Sequence, residues 1–199
     1  MSRACPAPAG AAPTRSVPTA RDGRPPLVER AVNAELDGKP ARRLFGLGLW
    51  LAAAVIVLDQ ITKWYVVAVV LNPPRIIEVT SFFNLALVWN RGVSFGMLGG
   101  QDGAGAWILT LVALAIVAAL VFWLRRADRP ILAVALGMVI GGALGNVIDR
   151  VRLGAVADFL DFHVAGYHWP AFNLADSAIT VGVVALVVPT LFPGPKAPK

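Results

Sequence analysis

Four long apolar segments, Leu44–Leu71, Ala104–Leu124, Ile131–Ile148 and Leu174–Leu191, leave this chain few ways to fold. They are 28, 21, 18 and 18 residues long. At about 1.5 Å per residue the shortest helix would span roughly 27 Å, close to the hydrocarbon thickness of a bilayer. In lipid, each backbone N–H and C=O must be paired within its own segment, so each stretch reads as a transmembrane helix. Composition agrees, with 57% of residues hydrophobic and 15% charged, where an ordinary soluble domain has about 45–50% and about 25%. A mean hydropathy of +0.67 nearly excludes a water-soluble globule.

The segment 131–148 carries Gly137, Gly141, Gly142 and Gly145, small residues that let a neighbouring helix approach closely. Residues 1–43 differ from the rest. They hold seven of the fifteen prolines and eight of the eighteen basic residues, and read as a disordered tail without the plan of a signal peptide. Cys5, the single cysteine, lies there with no apolar segment before it, so it is expected to be inert. The organisation expected is a tail over 1–43, a membrane domain over 44–192 and a short tail over 193–199.

Basic residues set the orientation. The flanks 1–43, 125–129 and 193–199 carry 8, 3 and 2 of them, which places both termini in the cytoplasm and the loops 72–103 and 149–173 outside. That topology accounts for the net charge of +6, and no basic patch interleaved with aromatics points to nucleic acid. Within the first outer loop, Ile76–Trp89 is rich in β-branched and aromatic residues and is followed by the turn sequence Asn90-Arg91-Gly92. It reads as a small antiparallel sheet on the outer membrane surface, with Phe82, Phe83 and Trp89 at the interface. The fold class expected is an all-α membrane protein of four transmembrane helices with that sheet.

Ionisable side chains near the hydrocarbon carry most of the information, because charges at that depth are costly. Asp59 and Lys63 sit four apart on one helix face. They are either an ion pair that orients the helix, with Lys63 reaching the outer headgroups, or part of a site. Asp158 and Asp176 fall at the outer ends of adjacent helices. Two carboxylates brought together where water is scarce cannot both ionise cheaply, so the pair can hold one proton between them. An aspartic protease needs that arrangement, one carboxylate taking a proton from water while the acid form polarises the scissile carbonyl. Spacing alone leaves a plainer reading open, in which Asp176 caps a helix. Asp161 reads as an exposed loop acid, and Asp149 beside Arg150 as half of an ion-pair network.

These stretches resemble the lipoprotein signal peptidases (signal peptidase II) of bacteria. The matching pieces are Leu-Asp-Gln-Ile-Thr-Lys at 58–63, and Phe-Phe-Asn-Leu at 82–85 leading into Asn-Arg-Gly-Val-Ser-Phe-Gly at 90–96. They continue with Gly-Gly-Ala-Leu-Gly-Asn-Val-Ile-Asp-Arg at 141–150, Gly-Ala-Val-Ala-Asp-Phe at 154–159 and Trp-Pro-Ala-Phe-Asn-Leu-Ala-Asp-Ser at 169–177. The resemblance runs from about Leu44 to Leu191 and implies an intramembrane aspartic endopeptidase. Such an enzyme cleaves prolipoproteins on the N-terminal side of a diacylglyceryl-modified cysteine, without metal or cofactor.

By the same resemblance, Asp158 and Asp176 are the catalytic pair. Asp59, Lys63, Asn90, Gly142, Asn146, Asp149, Arg150, Asn173 and Ala175 are the supporting positions. Val93 departs from the more usual alanine. Beside this, Asn146 and Asn173 can bond a carboxylate or cap helix ends, Arg150 can meet loop acceptors or a lipid phosphate, and small Ala175 would leave room for an extended peptide. The implied partners are lipidated precursors and membrane lipids; oligomeric state stays open, although a four-helix unit with its own site could work as a monomer. The implied location is the bacterial cytoplasmic membrane with the site at its outer face. Two rivals remain, a proton-coupled transporter with the acids as a relay and a metal-dependent phosphotransferase.

Overall fold

In a computed structural model, residues 27–92 and 104–191 of the chain are described, with the side chains of 27–41 and of 190 left aside. The chain divides at Gly38 into two units. The second, Lys39–Lys199, holds every described strand and, apart from the start of the first helix, every described helix. Four helices, α1 (Leu27–Tyr65), α2 (Ala104–Leu124), α3 (Pro130–Leu153) and α4 (Leu174–Leu191), are joined by strands β1 (Ile76–Thr80), β2 (Phe83–Asn90), β3 (Val156–Val164) and β4 (Tyr167–His168). A π-helical turn, Val66–Val70, extends α1. Among the described residues three helices are long and apolar enough to cross a membrane, over Arg42–Val70, Gly105–Leu124 and Pro130–Leu153, and Leu174–Pro189 is a shorter apolar helix.

Local chemistry explains the helix ends. Pro130 opens α3 at a position whose N–H would have no helical partner anyway. Gly154 closes it in the left-handed region, φ 72°, its N–H bonded to Arg150 O at 3.0 Å. Leu124, Ala133, Leu136 and Ile140 are fully buried between helices, whereas Trp50, Trp64, Trp107 and Leu111 are exposed. Large apolar groups turned outward along α1 and α2 suit a lipid solvent rather than water.

The strands form one antiparallel sheet in the order β1-β2-β3-β4. Leu71, Val66 and Phe159 form a small core that seats it on the end of α1. Between the pairs Leu85↔Leu160 and Val88↔Asp158, β2 advances three residues while β3 advances two. This bulge reverses the alternation of side chains along β2. Asn84 and Asn90 therefore face opposite sides of the sheet, the first bonded to Asp161 and the second to Asp158.

Several expectations change. The helix at the head of the chain begins at Leu27 rather than Leu44, and passes through Gly38 and Pro40 into the apolar span. α3 continues past Ile148 to Leu153, so Asp149 and Arg150 are helical. The stretch 149–173, expected as a loop, supplies β3 and β4. The hairpin turn of the first loop lies at Ser81–Phe82, not at 90–92. Asp161 is not an exposed loop acid. It lies buried on β3 between Asn84 and His168, because the strand turns it toward those partners. Residues 1–26, with Cys5, and Val93 lie outside the described residues.

Candidate active site

The start of α4 fixes the first of the two acids. Asn173 is the cap residue: its Oδ1 accepts the Asp176 N–H at 3.1 Å, and Asp176 Oδ2 accepts the Asn173 N–H at 3.2 Å. This reciprocal pair is a capping box in which Asp176 holds the third helical position. Asp176 thus does cap a helix, and the cap is also what aims its carboxylate.

With its oxygen used in the cap, the Asn173 amide has only N–H groups left to give. Nδ2 donates to Asp158 Oδ1 at 2.7 Å and to Asn146 Oδ1 at 3.2 Å. One buried asparagine therefore holds both acids, Asp176 through its backbone N–H and Asp158 through its side chain. Asn146 Nδ2 donates to Asp176 Oδ1 at 2.7 Å. Asn90 Nδ2 donates to Asp158 Oδ2 at 2.9 Å, its own oxygen taken by the Gly92 N–H at 2.8 Å. Among the described residues each of the four carboxylate oxygens thus has one donor, and each of those donors is neutral.

The amide orientations follow from Lys63, whose ammonium can only donate. Its three N–H groups meet three acceptors, Asp59 Oδ2 at 2.9 Å, Asp149 Oδ2 at 2.8 Å and Asn146 Oδ1 at 3.0 Å. Asn146 must then point its oxygen at Lys63 and its NH2 at Asp176. The same cluster ties the elements together, as Asp59 Oδ1 accepts the Ala175 N–H and Asp149 Oδ2 the Ala157 N–H. Asp59, Lys63 and Asp149 are all buried, so Lys63 does not reach the headgroups. Two carboxylates have captured its cation.

Close packing makes these contacts possible. A side chain at Gly142 would run into Ala175 O and Ile179, and one at Gly145 would stand 2.6 Å from Asp59 Oδ2. Ala175, fully buried opposite both glycines, is small because α3 and α4 meet there, not to make room for a peptide. Arg150 is half-buried, and its Nε has no hydrogen-bond partner among the described residues.

Burial pushes the Asp158 carboxyl up to about 6; the Asp176 charge adds to the rise, while bonds from Asn90 and Asn173 and the Lys63 charge oppose it. On the other face of β3, burial also raises Asp161, but His168 and Asn84 outweigh it and hold that carboxyl below its ordinary value. A pocket of about 440 Å³ opens over Asp158, walled by Val88, Trp89, Asn90, Arg91 and Pro170. Among the described residues no group of three or more His, Cys, Asp or Glu is placed to hold a metal.

The family model described as Signal peptidase (SPase) II matches residues 51–192. The chain belongs to the signal peptidase II family. It is a protease of that family, and its long apolar helices make it a membrane protein. Among curated relatives named lipoprotein signal peptidase, one from Paraburkholderia phytofirmans is 51% identical over 150 residues, covering 73% of this chain and 86% of its own. Another, from Methylorubrum extorquens, is 44% identical over 156 residues, covering 78% of this chain and 91% of its own. A solved bacterial membrane enzyme is 31% identical and superposes with a TM-score of 0.64, over 77% of this chain and 94% of the other.

The structure joins all the positions suggested by resemblance to signal peptidase II except Arg150 by direct hydrogen bonds or close packing. It also adds Gln60, which the motifs did not mark out as a site residue. Gln60 Nε2 donates to Asp149 Oδ1 at 2.9 Å and to Gly145 O at 3.3 Å. The signal for it in the sequence was an amide between Asp59 and Lys63 at a depth where polar groups need partners. Asp149 is in an ion-pair network as expected, but its partner is Lys63 rather than Arg150.

Proposed function

We propose that the chain is an intramembrane aspartic endopeptidase that removes signal peptides from diacylglyceryl-modified prolipoproteins, on the N-terminal side of the lipidated cysteine. The observation that carries this reading is Asn173 bonded to Asp158 and Asp176 at once. Two carboxylates held by neutral donors, with no cation in ionic contact among the described residues, have reason to retain one proton between them. The pair shares that proton, and Asp158, 1% exposed and raised to about 6, serves as its donor in the reaction.

In the reaction, Asp176 takes a proton from water as the oxygen attacks the scissile carbonyl carbon. Asp158 gives its proton to the carbonyl oxygen, yielding a neutral gem-diol. Collapse returns one hydroxyl proton to Asp158 while Asp176 protonates the leaving amine. The peptide C–N bond breaks and the dyad is restored. The curated relatives' name, lipoprotein signal peptidase, supports the substrate class.

In this reading α4 crosses the bilayer as a fourth span. Both termini are cytoplasmic, and the site and sheet lie at the outer face of the cytoplasmic membrane. Asp59, Lys63, Asp149 and Asp176 all lie toward the end of their helices that carries the sheet, which supports one boundary site over a proton relay across the membrane. The test is cleavage of lipidated and unlipidated precursor in membranes by wild type and Asp158→Asn. Cleavage should need both the lipid and the carboxylate. Wild-type rates from the variant would refute the dyad.

A further inference from the structure

A second cavity, of about 230 Å³, lies between the C-terminal ends of α1 and α3 beside β2. It shares Trp89 with the pocket over Asp158 but includes neither dyad acid. Its walls are Trp64, Val67, Trp89 and Leu153, and its floor is the Lys63–Asp149 ion pair. Trp64 and Leu153 are well exposed at the ends of two membrane-length apolar helices, so the medium that meets this groove is lipid at the boundary with water.

Arg152 stands on this cavity as an exposed cation and makes no ion pair among the described residues. One long contact, 3.4 Å from Nη1 to Gln60 Oε1, tethers it. Gln60 cannot turn its NH2 toward Arg152, since Nε2 is committed to Asp149. The guanidinium therefore offers its remaining donors to whatever enters. Asp149, the carboxylate lining the cavity, already accepts from Gln60 on one oxygen and from Lys63 and the Ala157 N–H on the other. An ammonium headgroup would find no free carboxylate on these walls, whereas a phosphate finds a fork of N–H groups that matches it.

We propose that this groove binds one anionic phospholipid, with its phosphate on Arg152, its headgroup beside Gln60 and its acyl chains along Trp64, Val67 and Leu153. The site is separate from the catalytic reading and stands or falls without it.

The experiment uses the full chain in neutral detergent, titrated with phosphatidylglycerol or phosphatidylcholine of matched chains, with retained lipid counted by native mass spectrometry. The expected result is a single phosphatidylglycerol held about tenfold more tightly than phosphatidylcholine, a difference of about 1.4 kcal/mol. Arg152→Gln should lose that preference and Arg152→Lys should keep part of it. Arg125→Gln, at the other end of the helices, should change nothing. Trp64→Ala should weaken retention of both lipids by removing a chain wall. Equal retention of the two lipids by wild type would overturn the proposal, and tighter retention of phosphatidylcholine would overturn it in favour of an aromatic cage for choline. An undiminished preference in Arg152→Gln would also overturn it. So would displacement of the lipid by millimolar inorganic phosphate, which would mark a plain anion site.

Discussion

Asp158 and Asp161 stand three residues apart on β3 and share a residue type, a strand and burial, yet they titrate in opposite directions. Asp158 faces Asn90, Asn173 and a second acid, and burial takes it up to about 6. Asp161 faces His168 Nδ1 at 2.8 Å and Asn84 at 3.2 Å, and it is held below the ordinary carboxylate range. Burial acts on both. What separates them is the set of partners that answers the charge, an imidazole and an amide for Asp161, two amides and a second acid for Asp158. A third case lies nearby, where Asp59 and Asp149 share the Lys63 cation. A buried carboxylate in contact with a lysine is tied by it, whereas one hydrogen-bonded by amides beside another carboxylate has reason to keep a proton.

The largest effect that could break this contrast is on cleavage. Asp158→Asn or Asp176→Asn should each lower the rate of precursor cleavage by about 10³-fold or more, as loss of a general acid or base does, while the protein stays folded in detergent. Asp161→Asn in the same assay should cleave within about twofold of wild type, on the ordinary expectation for a polar change away from the reacting atoms.

Lys63→Met should act on the fold first. It leaves two buried carboxylates without their cation, a loss of about 3–5 kcal/mol that should appear as a large fall in melting temperature in detergent. Asn146 would also lose the donor that fixes its amide. Unchanged melting would mean that the cation does not discriminate the two kinds of acid.

The titration of Asp158 gives a signed prediction. Its folded value, about 6, lies above its ordinary 3.8, so the folded state binds more protons between those values and stability falls as pH rises across that window. The shift corresponds to about 3 kcal/mol at most. In Asp158→Asn that slope should vanish in unfolding measured from pH 4 to 7. In wild type, kcat/KM should decline on the alkaline side with an apparent midpoint near 6, a property of the pair.

The smallest effect lies on the opposite face. Asp161 is depressed, so its stabilisation is present above the ordinary carboxylate value and is lost as pH falls through the folded one. His168 is exposed and screened, so His168→Asn should cost no more than about 1 kcal/mol in unfolding at neutral pH. A loss as large as that for Lys63→Met would erase the difference between an exposed partner and a buried one.

Some of this was legible along the chain. Segment length and hydropathy marked the apolar helices, and the β-branched and aromatic run 76–89 marked β1 and β2. β3 escaped because Asp158 and Asp161, an odd number of residues apart, break the alternation that a half-buried strand should show. The dyad was read from motif resemblance rather than from spacing, since Asp158 and Asp176 belong to different elements that no local pattern connects. Glycines at 142 and 145 announced a close approach without naming the neighbour, which proved to be Ala175 and Asp59.

Hydropathy and basic flanks are local sums, so the sequence by itself determined that this chain belongs in a membrane and where its apolar spans lie. Which acid meets a lysine, which a histidine and which another acid was decided only by tertiary structure. Partners such as Asn90 for Asp158 and Lys63 for Asp149 lie 68 and 86 positions away. A carboxyl's proton affinity is set by the groups within a few ångströms of it, and packing alone chooses those.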